Sequence, residues 1–205
     1  MRIIDLTQPI HDGMTVYPGD AETGLVRSKK FQQDGYTNHQ LSINMHAGTH
    51  IDGPMHLVDC EKYLNDFPVE TFIGEGCLLD VSQENTIDYK VEYEELIQQK
   101  QIVLLYTGYN QYYGQPRYYT DHPVLTLPFA ELLVRKQVKM IGLDFPSPDQ
   151  YPFEVHKYLF QNDILIIENL TNVEQLLHVK SFEVIALPLS VKADSSIARV
   201  VARAE

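Results

Sequence analysis

The sequence predicts a β-rich α/β fold, with strands outnumbering helices and the helices packed outside layered or barrel-like sheet. Three observations point there. Short apolar runs of strand length recur along the 205 residues, apolar stripes at helical spacing are few, and the first third of the chain reads as nearly all β. Hydrophobic residues make up 44% of the chain, enough to bury one substantial core, so residues 1–205 are expected to form a single domain. No internal repeat, low-complexity tract or linker-like shift in composition divides them.

Residues 2–6 read as the first strand. Residues 40–45 alternate polar and apolar, with Leu41, Ile43 and Met45 on one side, the pattern of a half-buried strand ending at His46. Further strands are expected at 76–81, 102–107, 140–144, 164–168, 182–187 and 196–202. Several of these are apolar on both faces, as strands covered by other layers must be. Between them, 92–100 carries Tyr93, Leu96 and Ile97 on one helical stripe. Residues 128–137 begin with a proline suited to a helix start and carry Phe129, Leu132 and Leu133. Shorter helices are expected at 153–161 and 173–178. The glycine fingerprint of a dinucleotide fold and the GxxxxGK[ST] phosphate loop are both missing, so a doubly wound nucleotide-binding sheet is not expected.

Charge and cysteine usage exclude several functions. A net charge of -12 repels phosphate backbones, and no Lys/Arg-rich run offsets it, so nucleic acid is not an expected partner. No stretch approaches the roughly 18 apolar residues of a membrane span, and the opening MRIIDLTQPIHDG lacks the apolar run of a signal peptide. Cys60 and Cys77 form no CxxC pair and are too few for a disulfide framework, so a reduced, cytoplasmic setting is expected.

The chemistry is concentrated in His46-Ala47-Gly48-Thr49-His50-Ile51-Asp52-Gly53-Pro54-Met55-His56. Imidazole and carboxylate are the usual ligands of zinc, manganese and iron. Gly48, Gly53 and Pro54 indicate a shaped loop rather than a helix, and a loop can aim side chains at unequal spacings toward one point. Asp52, with two oxygens, can hold one ion or bridge two. Two more candidates lie downstream: His156, in a helical pattern, and Glu168, which closes the apolar run Ile164-Leu165-Ile166-Ile167.

The run from His46 to His56 matches HxGTHxDxPxH and so resembles the cyclase-like metal-dependent hydrolases, the family that includes bacterial kynurenine formamidase and isatin hydrolase. The resemblance extends over nearly the whole chain: Leu6-Thr7-Gln8-Pro9-Ile10 and Tyr17-Pro18-Gly19-Asp20 resemble the family's opening. Thr107-Gly108 and Gly142-Leu143-Asp144-Phe145-Pro146-Ser147 resemble its middle, and His156 with Ile167-Glu168-Asn169-Leu170 its second metal segment. The resemblance implies a swivelling β/β/α fold in a homo-oligomer, dimer or tetramer. It implies one or two divalent ions, zinc first and manganese next. His46, His50 and Asp52 would bind the first ion; Asp52, His156 and Glu168 the second, with Asp52 bridging; His56 would be the acid/base.

The implied reaction is hydrolysis of an amide C–N bond in a small molecule, as in an arylformamidase converting N-formylkynurenine to kynurenine and formate in tryptophan catabolism. Two alternatives stand beside it: hydrolysis of a cyclic amide or lactone such as an isatin-like ring, and a metal- or ligand-binding protein without catalysis. His56, a fourth polar group beside three ligands, argues for catalysis.

Other residues carry weaker signals. Tyr17 and Pro18 stand where many formamidase-like members have Trp-Pro; this chain has no Trp, but Tyr can still stack on an aryl ring. Asp144 and Ser147 are candidates to orient ligands or substrate, or simply form a strand-end turn. Phe31, Tyr36 and Tyr109 belong to the core or line a pocket. His11, His39, His122 and His178 read as ordinary polar residues, and Cys60 as a plain thiol. The Tyr-rich run 106–119 reads as a loop serving as a lid, a subunit contact or ordinary surface.

Overall fold

The computed structural model describes residues 1–204. In chain order the strands are β1 (Arg2–Asp5), β2 (Gly24–Lys29), β3 (Asn38–Ser42), β4 (His50–Asp52), β5 (Ile73–Asp80) and β6 (Thr86–Ile87). They continue with β7 (Ile102–Tyr106), β8 (Val124–Leu125), β9 (Met140–Leu143), β10 (Leu165–Glu168), β11 (Phe182–Pro188) and β12 (Ser195–Ala204). The helices are α1 (Phe31–Asp34), α2 (Tyr93–Leu96), α3 (Leu127–Arg135) and α4 (Glu154–Gln161). The main sheet runs β1-β12-β11-β5-β7-β9-β10-β4, and β4 also pairs with β12, so seven strands close into a barrel. β1 extends the far end of β12. The middle of the barrel, β5-β7-β9-β10, is parallel, whereas β4, β11 and β12 run antiparallel to their neighbours.

The two-faced apolar runs have a direct explanation. Val103, Leu105, Ile141, Leu143 and Ile166 pack outward beneath α3 and α4. The alternate residues Ile102, Leu104, Met140, Leu165 and Ile167 fill the barrel interior with Ile51, Val184 and Val200. Each such side chain contributes roughly 1.5–3 kcal/mol on burial, so these strands anchor the fold. Gly142 sits at a tight point of that interior: a Cβ there would lie 2.5 Å from Leu104 Cδ2. Thr126 caps α3 by accepting from the Phe129 backbone, Pro128 occupies its first turn, and Phe129, Ala130, Leu132 and Leu133 are buried.

The β-rich α/β class with helices outside a barrel is the one the sequence indicates; four local expectations change. Residues 40–45 are not a half-buried strand. β3 covers Asn38–Ser42, every residue of it is exposed, and its partner is β2, for which no expectation was formed. The pair forms a separate two-stranded ribbon open to solvent, and the chain turns out of strand after Ser42. The first third is therefore short strands joined by long turns rather than nearly all β. The helix expected at 92–100 shrinks to Tyr93–Leu96, because buried Ile97 turns extended and Lys100 takes a positive φ. The helix expected at 173–178 is a single 3-10 turn, Val173–Leu176.

Candidate metal centre

The barrel's register assembles the site. β4 lies between β10 and β12, placing Glu168 opposite His50 and Ser195 opposite Asp52. Because side chains alternate along a strand, His50 and Asp52 share one face while Ile51 points into the barrel core. The eleven-residue motif is thus part strand and not wholly loop: a turn brings in His46, β4 supplies His50 and Asp52, and the 3-10 turn Pro54–His56 presents His56. Gly48 adopts φ +64° in that first turn, a left-handed conformation that favours glycine, while the nearest atom to an added Cβ is the movable end of Met14 at 2.9 Å. His156 enters from the first turn of α4.

The six sequence candidates meet as follows. His46 Nδ1 is 2.9 Å from Asp52 Oδ1, and His50 Nε2 is 3.3 Å from the same oxygen. His50 Nε2 is also 3.4 Å from Glu168 Oε2, and His156 Nε2 is 3.4 Å from Glu168 Oε1. The His56 ring centroid lies 4.3 Å from that of His46 and 6.3 Å from that of His156. Donor atoms of His50, Asp52 and Glu168 fall within 4.8 Å of one another, as do those of His46, Asp52 and His56.

A cation fits this donor set. His50 Nε2, Asp52 Oδ1 and Glu168 Oε1 are buried yet lack a well-formed hydrogen bond, and buried polar atoms are rarely left so. Three imidazoles and two carboxylates are suitable donors for a divalent ion of the zinc or manganese type. The charge balance says the same. Burial opposes protonation of His46, but Asp52 and Asp194 carry it up to about 10. Burial likewise opposes protonation of His156, and Asp149 and Glu168 raise it to about 9. His50 is held well above its ordinary value against burial by Asp52 and Glu168. Burial works to raise Asp52, yet His50 and His46 hold it well below the usual carboxylate range. The carboxylates demand positive charge in this space, and a divalent ion supplies it.

Outer hydrogen bonds fix the rings. His50 Nδ1 donates to the Gly48 carbonyl at 2.8 Å, which leaves Nε2 facing the cluster. Asn169 Nδ2 donates to the same carbonyl at 2.9 Å, and the Tyr118 hydroxyl donates to Asn169 Oδ1 at 2.9 Å. His156 Nδ1 bonds Asp149 Oδ1, while Asp149 Oδ2 accepts from the Val155 backbone at 2.7 Å. At the mouth, Asp194 Oδ2 lies 2.9 Å from His46 Nε2 and 3.6 Å from His56 Nδ1.

The weaker candidates fall apart from this group. Asp144 is buried and accepts from the Thr107 and Gly108 backbones and the Thr107 hydroxyl; burial pushes it up to about 6. Ser147 donates to the Asp149 carbonyl at 2.6 Å. Both make the hydrogen bonds of a strand-end turn. Tyr17 is half exposed and touches Tyr119 edge-on, with centroids 5.4 Å apart. The Tyr-rich run folds as two 3-10 turns, Tyr109–Tyr112 and Pro116–Tyr119, and reaches the site through Tyr118 and Tyr119. Sequence reasoning missed Asp149, Asp194 and Ser195. Each belongs to a loop or strand start far from the motif in sequence, and only the fold brings it in.

Comparison with known proteins gives a consistent set of matches. The Cyclase family model, described as "Putative cyclase", matches residues 4–150. Kynurenine formamidase of Bacillus cytotoxicus is 32% identical over 208 residues, covering 98% of this chain and 96% of that protein. The solved structure of a potential metal-dependent hydrolase with cyclase activity is 27% identical, covers 98% of this chain and 96% of its own, and has a TM-score of 0.79. Isatin hydrolase A from Labrenzia aggregata is alike in fold, with a TM-score of 0.84 at 21% identity, covering 98% of this chain and 93% of its own.

Proposed function

The chain belongs to the Cyclase family of metal-dependent hydrolases, and from that premise we propose that it hydrolyses the C–N bond of an N-formylated arylamine, with N-formylkynurenine as the type. Water and the formamide give the free amine and formate. The observation that carries this reading is the convergence of His50 Nε2, Asp52 Oδ1 and Glu168 Oε1, buried without hydrogen-bond partners. The similarity to a kynurenine formamidase along nearly the full length of both chains supports the substrate class.

In this proposal His46, His50 and Asp52 hold one ion and Asp52, His156 and Glu168 a second, with zinc preferred and manganese accepted. A divalent ion in such a site supplies Lewis-acid polarisation of the carbonyl and lowers the pKa of water from 15.7 toward roughly 7. The remaining work falls to the chain. His56 is partly open to solvent at the mouth. It takes the proton from water and returns it to the departing nitrogen, a task suited to imidazole near neutral pH. An aryl nitrogen leaves more readily than an alkyl one, which favours a formylated arylamine. Tyr17, braced by Tyr119, offers an aromatic face for that ring.

The same proposal includes assembly with copies of itself. The β2–β3 ribbon exposes Val26 and Leu41, and the α1 connection between its strands exposes Phe31 and Tyr36, apolar side chains suited to a subunit contact. Among the described residues, no helix is long and apolar enough to cross a membrane.

The test is an assay of N-formylkynurenine, formanilide, isatin and a simple lactone with the metal-stripped protein and after zinc or manganese is added back. Metal-dependent turnover of the formyl arylamines above the ring substrates is the expected result. Preferred turnover of isatin or the lactone would move the substrate class. Full metal loading with no turnover of any of the four would remove the catalytic reading.

A further inference from the structure

Asp194 is a carboxylate at the mouth of the site that the motif does not contain. It stands immediately before β12, whose pairing with β4 sets Ser195 opposite Asp52. Its backbone is pinned to the motif: the Gly53 N–H donates to the Asp194 carbonyl at 3.0 Å. The approach is so close that a Cβ on Gly53 would lie 2.9 Å from that carbonyl oxygen. Gly53 has an extended backbone, so the reason for glycine there is this contact and not its φ. The next residue back is held as well, with Leu64 N donating to Ala193 O at 2.9 Å. The fold therefore fixes the backbone that carries this carboxylate, against Gly53 of the motif and against Leu64 beyond it.

Its oxygen Oδ2 lies between two imidazoles, at hydrogen-bond distance from His46 Nε2 (2.9 Å) and at the longer ion-pair distance of 3.6 Å from His56 Nδ1, from which a small shift of the ring would close the bond. An acceptor facing Nδ1 sets the tautomer of a histidine and leaves Nε2 as the nitrogen that exchanges a proton. Resting on the functional reading above, we propose that Asp194 is a positioning residue for His56, holding its Nδ1–H so that Nε2 faces the substrate. Asp194 does not touch the reacting bond; it acts through the ring.

The experiment compares the zinc-loaded wild type with Asp194→Asn, His56→Ala and the double variant, on N-formylkynurenine, with zinc content and histidine ¹⁵N NMR as parallel readouts. Asp194→Asn keeps the size of the side chain and removes its charge. The expected result is full zinc content, KM within about twofold of wild type, and kcat lower by about 10–100-fold. The double variant is expected to fall no further than His56→Ala alone, since both changes remove one function. In the NMR spectra, His56 is expected to carry its proton on Nδ1 in the wild type and to lose that preference in Asp194→Asn.

Wild-type turnover by Asp194→Asn would overturn the proposal. So would additive losses in the double variant, or loss of zinc from Asp194→Asn, which would place its action on His46. If even the wild type turned over no formyl arylamine, the functional reading would fail, while the NMR tautomer would still decide the role of Asp194.

Discussion

Metal binding by this site should expel protons, and the number follows from its geometry. Three of the proposed ligands are imidazoles held protonated by carboxylates: His46 at about 10, His156 at about 9, and His50 well above its ordinary value. At pH 8, groups with those values for His46 and His156 together carry about two protons, and Asp52 and Glu168 favour the protonated form of His50 as well. A metal needs the neutral rings, so filling both proposed sites with zinc at pH 8 should release at least about two protons, those of His46 and His156. The apparent affinity for each ion should then rise with pH below that range, by about one power of ten per pH unit for every ring proton that ion displaces. The sign for the metal-free fold runs the other way. Histidines raised in the folded state stabilise it fully below about 6.5, and that stabilisation is lost as pH climbs through 9 to 10. Calorimetric titration of the stripped protein with zinc, in buffers of differing ionisation enthalpy, counts the protons directly. A count of zero would refute the reasoning, because it would mean the rings are neutral before metal arrives.

Other perturbations probe separate parts of the account. His50→Ala should abolish zinc binding and turnover together, whereas His56→Ala should keep zinc and lose about 10²–10⁴-fold in kcat; metal analysis beside steady-state kinetics checks both. Gly53→Ala places a Cβ 2.9 Å from the Asp194 carbonyl, which is backbone and cannot swing aside. It should cost about 1–3 kcal/mol in chemical denaturation and depress activity as Asp194 shifts. Asn169→Ala leaves the Tyr118 hydroxyl without its acceptor and frees the Gly48 carbonyl that holds His50. It should cost about 1–3 kcal/mol of stability and about 10–100-fold in zinc affinity, measured by denaturation and competition with a chelating dye.

The parts that could be read from the sequence share a physical reason. β7, β9 and β10 are buried on both faces, so each is a continuous apolar run, and their bounds were legible within a residue or so. α3 announced itself through Pro128 and the Phe129, Leu132, Leu133 stripe. The candidate cluster was visible because His46, His50, Asp52 and His56 fall within eleven residues, so a turn, a three-residue strand and a 3-10 turn can gather them. What escaped depends on pairing between distant segments. The β2–β3 ribbon has no buried face in β3 to impose a strand pattern, and Leu41 is exposed despite its alternation with Ile43 and Met45. Asp149 and Asp194 look like ordinary loop aspartates until α4 and β12 carry them to His156, His46 and His56. Asp144 and Ser147 could be read either as contacts for ligand or substrate or as a strand-end turn, and their hydrogen bonds to Thr107, Gly108 and Asp149 account for the turn.

Anomalous diffraction at the zinc edge, from crystals of zinc-loaded protein shown to be active before crystallisation, tests the central claim most directly. The account predicts a peak about 2.0–2.2 Å from His50 Nε2 and from oxygens of both Asp52 and Glu168. Active crystals with their zinc bound elsewhere, and nothing between those three side chains, would contradict it.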